Sequence, residues 1–296
     1  MSNLTTYGSQ SEVDKAAYKL AKDFLTESLL RSKIEEDAFE LIEKYLHISA
    51  ADRPDSIDGI YHRILASGQN AGMKPTVIGG AIDGVHKLRP VLCDFEPVLV
   101  LEKYASEWEV FEDITTQLKP RGNIDRTSEG LWPRYCRTIL SGAKFLSQFS
   151  SAEDFYEWVD FFDEDERARP ALPMLVAQEI DGFGFALACD FLKGLGYENF
   201  SKPDVHVKDI FWAVGLCHFG TSDYEVFKAV ARVARNVGVT PYNVDKLFWL
   251  IGSGYFYDDE HIGNRGRIGS RKKEFVALAQ PALEQMRSTE AKGLYA

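Results

Sequence analysis

The stretch that decides the fold is Ile180–His206, which reads IDGFGFALACDFLKGLGYENFSKPDVH. Apolar residues upstream predict a helix that ends at the Gly-x-Gly turn Gly182–Gly184. After the turn, Leu187 and Phe191 share one face of a second helix, four residues apart. The pattern therefore predicts two helices joined by a tight glycine hairpin.

The two glycines of this hairpin, Gly182 and Gly184, permit a backbone too tight for a Cβ and let another backbone approach closely. The first N–H groups of the following helix have no partner inside the helix and lie at the positive end of its dipole. Such an end binds phosphate without a basic side chain. Alone, a Gly-x-Gly between helices is more typical of an ordinary tight turn.

The continuation of the chain adds a carboxylate to this hairpin. A short loop leads to Pro203 and Asp204, and a further helix starts immediately afterwards. Asp204 lies 20 residues after Gly184 and opens the sequence Asp-Val-His. An aspartate there suits a helix N-cap, and the same residue could also serve as a catalytic carboxylate.

Together, the hairpin, the interval and the Asp-x-His sequence resemble the signature of the helix-hairpin-helix (HhH-GPD) superfamily of DNA glycosylases, in particular its endonuclease III-like branch. There, a Leu-Pro-Gly-Val-Gly-like hairpin precedes Val-Asp-Thr-His-Val, which holds the catalytic aspartate. The resemblance implies that Asp204 is catalytic. It also implies DNA contacts at the hairpin residues Gly182, Phe183, Gly184 and Ala186.

A second, shorter resemblance lies upstream, where residues 61–70 read YHRILASGQN. It is similar to the family's Leu-Leu-Ser-Ala-Gln helix end, whose glutamine enters the duplex beside the extruded nucleotide. Gln69 matches that glutamine, and a plain polar residue at a helix end is the alternative. The resemblance also allows a monovalent cation at the hairpin backbone near Ile180 and Gly182, with no other metal expected.

Two departures from the family pattern narrow the expected chemistry. Asp181 replaces the hairpin's usual proline and places a negative charge near the phosphate site. Ala186 stands where strand-cleaving members carry a lysine, and it has no amine to form a Schiff base. Lys193 is seven residues further on, about 10 Å along the helix axis. We therefore expect base removal without an efficient lyase step.

The rest of the chain also predicts helices. Apolar residues repeat at helical spacing in segments 57–65, 207–214, 226–237 and 244–251, and Val77–Ala81 is the one weak strand candidate. The expected fold is all-α: a two-lobed HhH-GPD-like DNA glycosylase fold with a cleft between the helical lobes. Residues 58–203 would form the central lobe, and residues 1–57 and 204–296 a discontinuous second lobe. Residues 1–11 are polar and are expected to be frayed.

Composition limits the setting in which the protein works. The net charge of −11 over 296 residues makes any DNA affinity modest and salt-sensitive without excluding it. We expect no signal peptide and no membrane segment, and hence a cytoplasmic monomer that joins the nucleoid when bound to DNA. No cysteine follows Cys217, so the family's iron–sulfur cluster is not expected, nor is any other cofactor. The four cysteines are expected to be reduced core thiols.

Several residues have two interpretations. The basic run Asn264–Lys273 is either a solvated loop before a last helix or a phosphate contact. A solvated acidic loop is favoured over a metal site for Asp258–His261, and a backbone-bonded, partly buried histidine over an acid–base catalyst for His206. Core packing is favoured for the aromatic residues Trp212, Tyr224, Phe248 and Trp249, whereas Tyr61 and Trp132 are candidate pocket walls.

The function that these features favour is that of a monofunctional DNA glycosylase. Its substrate would be double-stranded DNA with a damaged or modified base, which is flipped out before its N-glycosidic bond is hydrolysed. The alternative is a non-catalytic helix-hairpin-helix DNA-binding protein, which the acidic charge, Asp181 and Ala186 favour. A third possibility is a fold that serves a protein partner only.

Overall fold

The structure is a computed structural model that describes residues 4–32, 37–48, 53–71, 77–122, 124–257, 259 and 261–293, with the side chains of residues 4–9 and 289–293 left undescribed. Within these ranges the chain forms α-helices joined by short loops and 3₁₀ turns. The α-helices are α1 Leu4–Arg31, α2 Ala38–Leu46, α3 Ile57–Gly68, α4 Pro97–Lys103, α5 Glu107–Gln117, α6 Leu131–Leu146, α7 Ala152–Glu164, α8 Ala171–Glu179, α9 Phe185–Gly194, α10 Val205–Ala213, α11 Asp223–Val237, α12 Pro241–Ser253 and α13 Lys272–Gly293.

The all-α prediction is confirmed for the described residues, where strand pairing is limited to isolated bridges from Arg267 to Tyr255 and Gly263. The four segments with helical apolar spacing form α3, α10, α11 and α12, as predicted. None of the described helices is long and apolar enough to cross a membrane.

Two local predictions are wrong. Val77–Ala81 is not a strand, because it forms a turn that runs into a 3₁₀ helix over Gly79–Ile82, as its glycines permit. The polar N-terminal segment is not frayed over residues 4–11, because α1 begins at Leu4. Val13 and Ala17, one turn apart on α1, are buried and hold this helix against the core in spite of its polar start.

The chain groups into two compact units, Met1–Ser49 with Glu198–Ala296, and Ala50–Tyr197. We call them the terminal unit and the central unit. The sequence places the divisions at residues 57/58 and 203/204, whereas the contacts in the structure place them at 49/50 and 197/198.

The terminal unit, formed by α1, α2 and α10–α13, has an aromatic core. Phe248 on α12 packs edge-on against Phe211 and Phe275, with ring centroids 5.1 and 5.9 Å apart. Gly252 lets α10 approach α12 closely, because a Cβ there would lie 2.6 Å from the Cβ of His206. This crossing fixes the start of α10, where Asp204 lies.

The central unit, formed by α3–α9, is organised around α6. The buried hydroxyl of Tyr61 on α3 donates to the Ile139 carbonyl over 2.7 Å, and that of Tyr135 on α6 donates to the Leu65 carbonyl over 2.9 Å. Tyr61 is therefore a core residue, and its prediction as a pocket wall is wrong. Trp132, also buried, borders an open cavity together with Arg121.

Candidate active site

The hairpin between α8 and α9 is a tight turn closed by the Phe183 amide, which donates to the Ile180 carbonyl over 3.1 Å. Gly182 has a φ of +83°, in the left-handed region that glycine tolerates best. A Cβ on Gly182 would also lie 3.0 Å from Oγ1 of Thr138. Both the backbone conformation and the close packing therefore require glycine at 182.

Two hydroxyl groups of α6 fix this turn. Oγ1 of Thr138 donates to the Asp181 carbonyl over 2.7 Å, and the Asp181 amide donates to Oγ of Ser141 over 2.9 Å. The Asp181 side chain is exposed, and among the described residues its carboxylate accepts no hydrogen bond. It does not cap the turn, and its charge is left in solvent.

Gly184 is the N-cap of α9, and its position does not require glycine in the way that position 182 does. Its φ of −106° is accessible to any residue, and the space around a Cβ at this position is open. No side chain caps α9 here. Among the described residues, the backbone N–H groups of Gly184 and Ala186 donate to no backbone carbonyl. Neither the backbone conformation nor packing within the chain therefore requires glycine at 184.

The other hairpin residues offer less to a ligand. The Phe183 ring is buried against Phe191, with centroids 6.4 Å apart, so Phe183 stabilises the turn. The carbonyls of Ile180 and Asp181 already accept hydrogen bonds. Each carbonyl keeps a second lone pair, so the monovalent ion predicted near Ile180 and Gly182 stays a prediction.

Ala186, which stands where a lyase step would need a lysine, lies half-buried in the first turn of α9. Lys193 lies near the opposite end of that helix, where its Nζ is 3.9 Å from Oδ1 of Asp190. Both positions lie on α9, whose rise per residue places them about 10 Å apart along its axis.

The Gln69 side chain is folded back onto the protein. It caps the end of α3, and its Nε2 donates to the Ala66 carbonyl over 3.0 Å. Its Oε1 lies against the backbone of Gly79, where a Cβ would clash with it. Insertion into a duplex would require this side chain to leave both contacts.

Asp204, in the terminal unit, is the N-cap of α10. Its Oδ1 accepts the amides of His206 and Val207 over 2.8 and 3.1 Å. Among the described residues, Oδ2 has no hydrogen-bond partner and no ion pair. The predicted N-cap role is therefore present, and it leaves one carboxylate oxygen available for chemistry.

Asp204 is held in an environment that opposes its ionisation. Burial raises its pKa above the ordinary value of 3.8, and the negative charge of Asp245 raises it further. The Val207 amide and the positive charges of His206 and Lys202 lower the pKa without cancelling these effects. Asp245 is buried on α12 and accepts the Lys202 amide over 2.8 Å, which brings the two carboxyl groups to the same end of α10.

Two buried polar atoms within three residues of Asp204 in the chain have no partner among the described residues, Oγ of Ser201 and Nδ1 of His206. The prediction that backbone groups satisfy His206 is wrong for this nitrogen. The ring instead packs edge-on to Trp249, with centroids 6.5 Å apart. Buried polar groups are almost always hydrogen-bonded, so two exceptions next to one carboxylate distinguish this end of α10.

Sequence reasoning missed Asp245. Its signal was an acidic residue inside the apolar helical repeat of α12, at a position where the structure leaves it 1% exposed. The acidic run offers no comparable site. Asp258 and Glu260 lie outside the described residues, and Asp259 accepts the Tyr45 hydroxyl over 2.7 Å. The described residues contain no metal-binding group of histidine, cysteine, aspartate and glutamate side chains.

The remaining aromatic residues and the cysteines follow the predictions in part. Phe248 is fully buried, whereas Trp212, Tyr224 and Trp249 are partly exposed. All four cysteines are free thiols, of which Cys136 and Cys189 are buried and Cys93 and Cys217 partly exposed.

No protein-family model and no curated protein sequence matches this chain. Among solved structures, it is similar to an 8-oxoguanine glycosylase/lyase of Methanocaldococcus jannaschii, in complex with a 15mer DNA that contains 8-oxoguanine. The identity is 14% and the TM-score 0.48, covering 77% of this chain and 96% of the other. It is also similar to the 8-oxoguanine DNA glycosylase structure from the same organism, at 14% identity and a TM-score of 0.47, with 79% and 92% covered. At this level of similarity, neither structure identifies a substrate for this chain.

Proposed function

We propose that this protein is a DNA glycosylase that hydrolyses the N-glycosidic bond of a damaged or modified base in double-stranded DNA. The observation that carries the proposal is the environment of Asp204: a partly buried carboxylate fixed through one oxygen, with the other oxygen unbonded and buried polar atoms without partners beside it. Perturbed carboxyl groups of this kind are concentrated at functional sites.

Such a carboxylate suits the cleavage of an N-glycosidic bond. Departure of the base builds positive charge on the sugar in an oxocarbenium-like transition state. The ionised Asp204 would stabilise that charge, and its Oδ2 could accept a proton from the attacking water. The two amides at Oδ1 would hold the carboxylate in place during this step.

The hairpin would bind the DNA backbone through main-chain groups. The uncapped N-terminus of α9 offers the amides of Gly184 and Ala186, and the absence of a Cβ at 184 leaves room for a phosphate oxygen. This mode of binding needs no basic side chain, which is compatible with a net charge of −11.

Hydrolysis, rather than β-lyase chemistry, is the step that we assign to this chain. A lyase step needs an amine that attacks the sugar carbon, and the first turn of α9 presents Ala186 at the relevant position. The product would therefore be an intact strand with an abasic site.

The test uses end-labelled duplexes that each carry one damaged or modified base. We expect strand breaks only after alkali treatment, for at least one base. The Asp204→Asn variant should lower the excision rate by about 10²- to 10⁴-fold, the usual contribution of an acid–base group. Asn caps helices as well as Asp does, so the fold should be retained. Asp209→Asn, on the same helix, serves as the matched control. Equal excision by the wild type and Asp204→Asn would contradict the proposal.

A non-catalytic DNA-binding protein is the second candidate, and Ala186, which brings no amine for chemistry to the first turn of α9, favours it. For such a protein, Asp204→Asn would leave every measured property unchanged. Variants of the hairpin would still weaken DNA binding. Gly184→Ala tests the hairpin in both cases, because its Cβ would point into open space and should not affect folding.

We expect Gly184→Ala to weaken duplex binding about tenfold, since a hydrogen bond to a charged group contributes about 1.5 kcal/mol or more. Gly194→Ala, at the other end of α9, is the control, because a Cβ there would make only an ordinary 3.5 Å contact with Arg63. Fluorescence anisotropy at fixed salt measures both. Equal losses in the two variants would rule out a phosphate contact at 184.

A further inference from the structure

The basic run predicted from the sequence lies in a loop that is fixed to the end of α12. We call residues 254–271, of which 258 and 260 are not described, the α12–α13 loop. The Phe256 amide donates to the Gly266 carbonyl over 2.6 Å, and the Ile268 amide to that of Gly254 over 3.0 Å. Phe256 and Ile262 are both 0% exposed. The loop is therefore ordered by its own backbone bonds and by two buried side chains.

Two residues of this loop, Tyr257 and Arg265, adopt a left-handed backbone with a φ of +51° although neither is glycine. Both side chains are exposed, and 54% of the Tyr257 surface is accessible to solvent. Such backbone strain persists only where the surrounding structure enforces it, and it is concentrated at functional positions. The fixed loop thus holds one aromatic and one cationic side chain outward at a cost in stability.

Tyr257 belongs to a cluster of aromatic rings with a cation. Its ring stacks on Trp249 at an interplanar angle of 22°, with centroids 5.4 Å apart, and lies at 18° to the more distant Tyr45 ring, with centroids 6.2 Å apart. Nζ of Lys246 lies 4.2 Å from the Tyr257 centroid and donates to its hydroxyl over 2.6 Å. Only 8% of Lys246 is exposed, so this contact anchors the hydroxyl end of the tyrosine to a buried group. The cluster has an exposed aromatic surface with limited rotational freedom.

Cationic groups border this aromatic surface. The guanidinium of Arg267 lies 4.1 Å from the Tyr255 centroid, and the Tyr255 ring is 5.6 Å from that of Tyr257. Arg265 and Arg267 are both exposed, and neither forms an ion pair with any carboxylate that the structure describes. The protein as a whole is acidic, with a net charge of −11. This surface departs from that charge balance, because it presents two exposed arginines without described counter-ions next to tyrosine rings.

We propose that this surface of the terminal unit binds an unpaired stretch of a nucleic-acid strand. A base stacks on the exposed ring of Tyr257, and Arg265 and Arg267 contact the adjacent phosphates. Rings that stack on bases, beside cations that follow the backbone, are the general means of holding single strands without reading their sequence. An acidic peptide would use the arginines but would gain little from the fixed rings. The inference goes beyond base excision, since it needs neither a modified base nor Asp204.

The test measures anisotropy of a labelled oligothymidylate with full-length Asp204→Asn protein, so that no excision occurs. Tyr257→Leu should weaken binding about tenfold, within the range for loss of one stacked base. Tyr257→Phe should bind as before, because the ring is kept. Phe219→Leu, which alters an aromatic residue of the terminal unit that is 86% exposed, is the control and should have no effect. Arg267→Gln should lower the slope of log affinity against log salt concentration by about 1, the contribution of one phosphate contact.

Three outcomes would overturn the inference. The first is equal binding by Tyr257→Leu and wild type. The second is loss in Tyr257→Leu and Tyr257→Phe alike with a lowered melting temperature, which would indicate a structural role. The third is competition by polyglutamate as strong as by unlabelled oligothymidylate, which would indicate a general anion surface. With Asp204 restored, Tyr257→Leu should excise bases from fully paired duplexes at the wild-type rate, so failure here is distinguishable from failure of the proposed glycosylase function.

Discussion

The terminal unit contains two carboxyl groups that are removed from solvent in opposite ways, around Asp14 and around Asp204. Asp14 is 0% exposed and accepts hydrogen bonds from three side chains. Nε of Arg232 donates over 2.9 Å, Nδ2 of Asn236 over 2.7 Å and Nε2 of Gln10 over 2.8 Å. This carboxylate is fully satisfied, with a guanidinium as its counter-ion.

Asp204 has only two backbone amides at one oxygen, and the charge of Asp245 opposes its ionisation. The difference separates a structural carboxylate from the one that we propose as catalytic. A paired carboxylate stabilises the fold and is not available to a substrate, whereas an ionised group without a counter-ion costs stability and stays available. Three predictions test this distinction, from the largest expected effect to the smallest.

The largest effect is expected for Asp14→Asn, which leaves Arg232 without its counter-ion. Removing one partner of a buried pair is strongly destabilising, and we expect a loss of about 3 kcal/mol in the free energy of unfolding, measured by denaturation with urea. Glu12→Gln is the control, because this neighbour on α1 forms only an exposed pair with Lys15 and should change stability by less than about 0.5 kcal/mol. A similar small change in both variants would show that Asp14 does not stabilise the unit through its charge.

These two carboxylates also show how far the sequence can be interpreted. The position of Asp204 at the start of a helix was predictable because the features that indicate it are local. They are a proline before it, a helical pattern after it and a fixed interval from Gly184. Its N-cap geometry follows from those features alone. Most partners of Asp14 and the Lys202 amide that Asp245 accepts could not be assigned, because these groups come from distant parts of the chain. The hydrogen bonds of Asp14 to Arg232 and Asn236 span 218 and 222 residues.

The two glycine-containing loops differ in the same way. The hairpin was predicted in position and in type, because glycines at 182 and 184 restrict the backbone locally. The role of residues 264–273 stayed open, because the conformation of that loop depends on tertiary contacts. Strain at Tyr257 and Arg265 occurs at residues whose identity gives no sign of a positive φ. The N-terminus of α1 was mispredicted for a related reason: its packing partners are not visible in its own sequence.

A smaller effect is expected for the thermal stability of Asp204→Asn. Since the folded-state pKa of Asp204 is raised, its ionisation destabilises the native state once the pH exceeds the ordinary value of 3.8. The variant should melt higher than wild type at neutral pH, by roughly 2 °C, and the gain should vanish below the ordinary value. Calorimetry across pH measures this. Asp204→Ala should instead lose about 1 kcal/mol, because the cap is removed as well. A neutral-pH melting temperature below wild type in Asp204→Asn would refute the interpretation.

The smallest effect concerns Asp245, whose negative charge raises the pKa of Asp204 after burial has done so. Asp245→Asn keeps an oxygen that can accept the Lys202 amide and removes the charge. The pKa of Asp204 should therefore fall, while burial still keeps it above the ordinary value. In the proposed mechanism excision needs Asp204 ionised, so the acid limb of the rate profile should move to lower pH with little change at neutral pH. Carbon NMR of the Asp204 carboxyl reports the same titration without relying on activity. Asp209→Asn is the control, since the charge of Asp209 is not among the largest causes of the pKa shift of Asp204. An unmoved titration in Asp245→Asn would mean that burial alone sets the ionisation of Asp204.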